Sequence, residues 1–318
     1  MRIPGGRRRA ILVAAVAVIA GVVAVVAVLV TRGGGDGPAK VTAKPLAGQP
    51  PLFLQLPGPA VKGDDAAVYA AARARLPAGD VRVAIARAIA GYGPATRDRT
   101  VATLRRLPQS NPAVAFELGL AQLWSGHPFA AEASLHSVRR LNPYGYYGTK
   151  ADNLLHLNEA QGYPPYILPV SSHRSLAALR AAVAAPSASA ADWLALASAL
   201  EGPDRLAALK AARTAAGLDP TGVSEQVAVA VLGFSKDLPM TAISALGNLA
   251  SEASTQDNAQ VRFHLGLLYF WIRDSQDAAA QFTQVEQDAP KSPYAQVAHV
   301  FGQCLKSPAL CQRIAKSG

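Results

Sequence analysis

Six histidines, two cysteines and a thin scatter of carboxylates are the side chains with which this 318-residue chain could do acid–base, nucleophilic or metal chemistry. His127, His136, His156, His173, His264 and His299 fall at no H-E-x-x-H, H-x-x-H or Cys/His ligand spacing, so the sequence calls for no metal. No glycine-rich phosphate loop is present, because the glycines at 33–35 follow an apolar run and lack the Lys-Ser/Thr that would hold a phosphate. There is no G-x-S-x-G elbow and no Cys/His pair suited to a nucleophile. Asp152, Glu159, Asp274 and Asp277 are spaced as helix caps and solvated faces are. The reading is non-enzymatic and requires no cofactor.

Two other groups stand out. Cys304 and Cys311 lie seven residues apart, too far to bridge within one unbroken helix, but Ser307-Pro308 breaks the chain between them. In an oxidising compartment a disulfide is favoured over two buried thiols, and it would pin the C-terminal end. Tyr144, Tyr146 and Tyr147 cluster after Pro143, and Tyr163 and Tyr166 flank Pro164-Pro165. Rigid tyrosines on loops can anchor a protein partner, and they can equally pack a long loop onto its own domain.

The elements that would position these groups begin with a membrane signal. Arg2, Arg7, Arg8 and Arg9 form a basic tail (1–9) before an apolar run at 10–30 broken only by Gly21. That run is about 30 Å long as a helix, which matches a bilayer core. It exceeds a signal-peptide core and lacks a small-x-small ending, so an uncleaved single-pass anchor is expected rather than a cleaved leader. The arginines would stay in the cytoplasm, which places the rest of the chain outside the cell membrane. Residues 31–63 are rich in Pro and Gly and read as a tether, with Leu52-Phe53-Leu54 as a short extended piece able to pack on the following domain.

From Asp64 onward the pattern is helical, with no sustained strand alternation, so the class is all-α. Residues 64–111 read as degenerate helical repeats, 112–292 as a repeat domain with an irregular insertion at about 146–188, and 293–318 as capping helices. One scheme recurs. Leu118-Gly119, Gly126, Ala131, Leu135 and Pro143 are matched by Leu265-Gly266, Tyr269, Ala278, Phe282 and Pro290. From each glycine the alanine lies twelve residues on, the large apolar residue sixteen on and the proline twenty-four on. Weaker copies run through Ala208 to Pro220 and through Ala242 and Leu246 to Ser254.

This spacing resembles the tetratricopeptide repeat (TPR), a helical hairpin of about 34 residues. The tryptophan position of that pattern holds Ala115 and Arg262, and Arg273 stands where the first copy has Gly126. The resemblance implies a right-handed solenoid whose concave groove holds a partner's peptide or helix. In such a hairpin the glycine would let the second helix approach at the small alanine. His264, just before Leu265-Gly266, is expected toward the groove or solvent.

The formal charge of +10 looks at first like a nucleic-acid signal. Its distribution argues otherwise. Residues 1–32 carry five arginines and no acid, residues 64–110 eight arginines against four aspartates, and residues 111–318 are nearly balanced, with 15 basic and 16 acidic side chains. No nucleic acid is expected, since the charge fixes topology and coats the membrane-proximal helices. Taken together, the sequence predicts a membrane-tethered, TPR-like scaffold or adaptor of the bacterial envelope that binds protein. The alternative is a module binding anionic cell-wall polymer or lipid headgroups through the basic first helices.

Overall fold

The computed structural model describes residues 44–168 and 174–307. The expected membrane span at 10–30 lies outside them, and among the described residues no helix is long and apolar enough to cross a membrane. They form fourteen helices and no strand.

The chain divides into two compact units, with the boundary between Leu155 and His156. The N-terminal unit contains α1 (Asp65–Arg75), α2 (Val81–Ala90), α3 (Arg97–Arg105), α4 (Pro112–Trp124), α5 (Pro128–Leu141) and α6 (Tyr146–Leu155). The C-terminal unit contains α7 (Leu176–Ala184), α8 (Ala190–Leu200), α9 (Arg205–Leu218), α10 (Val223–Leu232), α11 (Pro239–Glu252), α12 (Thr255–Trp271), α13 (Ser275–Asp288) and α14 (Pro293–Lys306).

Local chemistry sets these boundaries. Asp64, Asp80, Asn111, Ser175, Ser189, Asp204, Ser254, Asp274 and Ser292 each accept a backbone N–H from the first turn of the helix they cap. Pro112, Pro128, Pro239 and Pro293 open their helices, where a missing N–H costs nothing. Pro143, Pro220 and Pro290 follow the C-terminal caps of α5, α9 and α13 and forbid continuation.

Consecutive helices pack as antiparallel neighbours in each unit: α4 with α5, α8 with α9, α10 with α11 and α12 with α13. The first helix of each pair also packs on the first helix of the next. Thus α2, α4 and α6 share one layer in the N-terminal unit, and α8, α10, α12 and α14 share one in the C-terminal unit. Leu118, Ala131 and Leu135 are buried in one core, and Ala208, Ala242, Leu246, Leu265, Ala278 and Phe282 in the other. Tyr269 is partly buried against the second core.

The glycine contact differs from the expected one. A Cβ on Gly119 would stand 3.2 Å from Leu135 Cδ2, and one on Gly266 would stand 2.6 Å from Phe282 Cε1. Each glycine makes room for the large residue sixteen on rather than for the alanine twelve on. At Gly119 the Ala131 contribution is its carbonyl oxygen, at 3.4 Å. The physical reason is size: the Leu or Phe lies across the facing helix and needs a gap there, whereas alanine needs none. Gly126 and Arg273 occupy equivalent turns with φ of 81° and 65°, so Arg273 adopts the left-handed conformation that its glycine counterpart takes without penalty.

The insertion at 146–188 contains two helices. They are α6 and α7, and residues 163–168 between them are extended. Cys304, near the end of α14, is disulfide-bonded. Cys311 lies outside the described residues.

Candidate functional site: two extended segments held on the first-helix layers

Residues 46–55, read from sequence as tether, are seated on the N-terminal unit in extended form. Leu46 N–H donates to Trp124 O at the end of α4 (3.1 Å), and Gln49 Nε2 donates to Tyr92 O (2.9 Å). Phe53 N–H donates to Glu117 Oε1 on α4 (2.8 Å), and Gln55 N–H reaches the Tyr147 hydroxyl on α6 (3.4 Å). Arg82 on α2 donates to Gln55 O (2.8 Å), and Arg75 on α1 to the carbonyls of Pro57 and Pro59. Leu52, Phe53 and Leu54 pack on the core of the unit. The Phe53 ring stands edge-on to Phe116 with centroids 5.9 Å apart, and Lys150 Nζ sits 4.2 Å above its other side.

Residues 160–168 do the same in the C-terminal unit. Ala160 N–H donates to Trp271 O at the end of α12 (2.8 Å), and Ala160 O accepts from the buried Lys236 Nζ (2.7 Å). Pro164 O accepts from Arg205, and Tyr166 N–H donates to Glu201 Oε1 (2.8 Å). Ile167 N–H donates to His264 Nε2 (3.1 Å), and the Tyr294 hydroxyl donates to Ile167 O (3.1 Å).

The two arrangements are copies in register. Phe116, Glu117, Gly119, Trp124, Leu135 and Tyr147 correspond to Phe263, His264, Gly266, Trp271, Phe282 and Tyr294, each pair 147 residues apart. The segments themselves correspond at a spacing of 114: Gly48-Gln49-Pro50-Pro51-Leu52-Phe53-Leu54 and Gly162-Tyr163-Pro164-Pro165-Tyr166-Ile167-Leu168. Gly48 and Gly162 both have positive φ, 80° and 73°, so the same bend requires glycine in both.

Physical chemistry explains why this motif suits a helical face. An extended chain laid over packed helices brings N–H groups that must be paired or absent. Two successive prolines remove two donors and hold the chain extended. A helix-end carbonyl that lacks an intrahelical partner takes the first N–H. One buried side chain, Glu117 or His264, takes the N–H seven residues further on.

Those acceptors are wholly buried, each 0% exposed. Burial pushes the Glu117 carboxyl up to about 8, opposed by the Phe53 N–H, so it is largely neutral at pH 7. Burial pulls the His264 imidazole down to about 4, opposed by its bond to Gln260. Its Nδ1–H donates to Gln260 O (2.8 Å), which leaves Nε2 as the acceptor that the segment needs. Burial likewise raises Glu201 to about 7 against the pull of Arg205, 3.3 Å away.

His264 therefore lies toward the segment and not toward solvent. Of the tyrosines proposed as partner anchors, Tyr147 and Tyr166 are buried in their own units, at 9% and 2% exposure. Tyr163 is partly buried, with the Arg205 guanidinium over its ring. Tyr144 is partly exposed, and Tyr146 is 40% exposed and edge-on to Tyr147. Tyr147 and Tyr166 thus serve the packing of the extended segments.

The other histidines are dispersed. His127 caps α5 without a side-chain bond, His136 pairs with Glu132, His156 with Asp237 and His299 with Glu286. His173 lies outside the described residues. Among the described residues no three His, Cys, Asp or Glu side chains gather as metal ligands would.

Glu117, Lys236, Arg205 and Glu201 were not singled out by sequence. The signal that would have found the site is the repeated Gly-x-Pro-Pro-x-x-Leu, which is legible once the two halves are aligned on their Leu-Gly pairs. Compared with protein-family models and with curated proteins, the chain matches none.

Proposed function

We propose that this chain is a non-catalytic scaffold of the bacterial envelope, tethered through 10–30, whose TPR-like hairpin stacks hold extended polypeptide. The observation that carries this reading is the pair of extended segments, each received on a layer of first helices by buried polar side chains. Glu117, Glu201 and His264, three buried groups whose titration burial shifts strongly, are all engaged in that holding. The repeat spacing around Leu118-Gly119 and Leu265-Gly266 supports the family resemblance, and the arginine-flanked apolar run supports the anchor. The two faces carry the chain's own segments, so a protein partner meets either a displaced segment or the surface around it.

The test is crosslinking in intact cells with a photoreactive residue at the exposed Tyr146. Discrete adducts to envelope proteins are expected. A ladder indistinguishable from that of an unrelated anchored protein overturns the reading.

Exposure of Arg73, Arg87, Arg99 and Arg105 on α1–α3 favours a second reading, contact with anionic polymer or headgroups. The full chain with Arg87, Arg99 and Arg105 changed to Gln should then lose most of its salt-sensitive co-sedimentation with added anionic liposomes. Unchanged co-sedimentation refutes that reading.

A further inference from the structure

We propose that the segment at 46–55 exchanges between molecules: the first-helix layer of the N-terminal unit is a recognition site for a Gly-x-Pro-Pro-apolar-apolar-Leu segment, and in trans it takes residues 46–55 of a second copy of this chain. The inference rests on the scaffold reading and names the partner of that same site.

Three observations carry it. The first is that the recognition is made twice on different side chains. Position 52 is Leu where 166 is Tyr, and 53 is Phe where 167 is Ile, yet the helix-end carbonyl and the buried acceptor recur at the same register, and an equivalent tyrosine hydroxyl bonds the segment backbone in both, at Gln55 N–H in one and at Ile167 O in the other. The site therefore reads the backbone, the prolines and the glycine bend. Any copy of the segment satisfies it equally, including one from another molecule.

The second is the way the segment is attached. Its contacts run to α2, α4 and α6, and Arg75 of α1 holds the carbonyls of Pro57 and Pro59 just beyond it. On its C-terminal side it joins the folded unit through residues 60–64, ahead of α1. Residues 60 and 62–64 are exposed, and no backbone N–H of 60–63 makes a bond among the described residues. Gly58 and Gly63 flank this hinge with φ of 86° and 128°. The segment at 160–168, by contrast, lies between helices on both sides in the sequence and cannot leave by one hinge.

The third is that an open depression of about 430 Å³ adjoins the far end of the seated segment, lined by Gln55, Asp80, Arg82 and Tyr147 among others. Water thus reaches the Gln55 end, where unseating can begin. Exchange preserves every bond of the seated state, so its equilibrium depends on the hinge and on the local concentration of copies. Anchoring in one membrane raises that concentration.

The experiment uses two differently tagged full-length chains, co-expressed and extracted in detergent. One carries Phe53→Asp and keeps its acceptor layer; the other carries Glu117→Lys and keeps its segment. Exchange predicts their co-capture at least ten-fold above a pair in which both chains carry Phe53→Asp. Capture no greater than that control overturns the proposal.

Because Phe53→Asp also places a charge against the core of the unit, a second variant deletes residues 61–62 from an otherwise unaltered chain. The shortened hinge should favour a dimer over a monomer by light scattering. A monomer whose Phe53 amide remains protected from hydrogen exchange overturns the proposal. If photocrosslinks from Tyr146 to envelope proteins persist while both assays fail, exchange alone is refuted. If they vanish as well, the scaffold reading falls with it.

Discussion

Phe116→Ala is expected to destabilise the N-terminal unit by about 3–5 kcal/mol, the range for removing a fully buried phenylalanine. Phe116 is 1% exposed, and its ring lies between Phe53 of the seated segment, at 5.9 Å, and Tyr147 of α6, at 5.8 Å. Alanine is a better helix former, so α4 loses nothing locally and the whole cost is tertiary. The segment should suffer most, because Phe53 loses the ring against which it is ordered. The check is urea denaturation combined with hydrogen exchange at the Phe53 and Gln55 amides. Both amides should exchange faster in the variant by more than ten-fold. A loss below about 1 kcal/mol with unchanged exchange would show that Phe116 does not hold the segment. The equivalent Phe263→Ala removes a ring in contact with Phe282, Tyr294 and His264, and the same loss is expected in the C-terminal unit.

Glu117→Gln is expected to remove a pH dependence of stability that the N-terminal unit carries between about pH 4.5 and 8. The folded state keeps a proton on Glu117 that the unfolded chain releases above its ordinary value of 4.5. The contribution is therefore complete below pH 4.5 and is lost as pH rises through about 8. Glutamine keeps a carbonyl oxygen for the Phe53 N–H and does not titrate. Across that window the variant should gain on the wild type by up to about 1.4 kcal/mol per pH unit. Lys150, Asp65 and Tyr147 interact with Glu117, and taking the difference between variant and wild type cancels most of their own titration.

His264 in the equivalent place has the opposite sign. Its value falls from 6.5 to about 4 on folding, so its contribution is present above pH 6.5 and disappears as pH falls toward 4. His264→Gln should therefore gain on the wild type in acid, where Glu117→Gln gains toward alkali. Denaturation curves from pH 4 to pH 8.5 would show it. Differences that stay flat across the range for both variants would mean that neither buried group titrates as its burial requires.

How far the site could be read in the sequence depends on which interactions are local. Helix starts at Asp64 and Asp80 were legible because a cap and its first turn are neighbours in the chain. The ends at Pro143, Pro220 and Pro290 were legible for the same reason, as a proline ring clashes within one turn. Within the insertion, α6 ends at Leu155. The extended segment that follows claims the next residues for contacts with α12 and with Lys236, more than seventy positions away. The tyrosines read either as partner anchors or as loop packing, because a loop rich in Pro and Tyr allows both. Tyr166 is buried because Glu201, Arg205 and His264 satisfy the backbone around it, and none of these is near it in sequence.

The sequence by itself determined the helical class, the hairpin spacing and the duplicated Leu-Gly frame, all of which follow from interactions within about 30 residues. It also carried both copies of the Gly-x-Pro-Pro-x-x-Leu motif, though as punctuation without meaning. Only the tertiary structure decided that these segments lie on the first helices. It also decided that Gly119 and Gly266 admit Leu135 and Phe282, and that Glu117 and His264 are buried acceptors. The reason is that burial is a property of what packs over a residue. A glutamate or a histidine in the middle of an apolar helix reads as a solvated side chain until a distant backbone N–H arrives to use it.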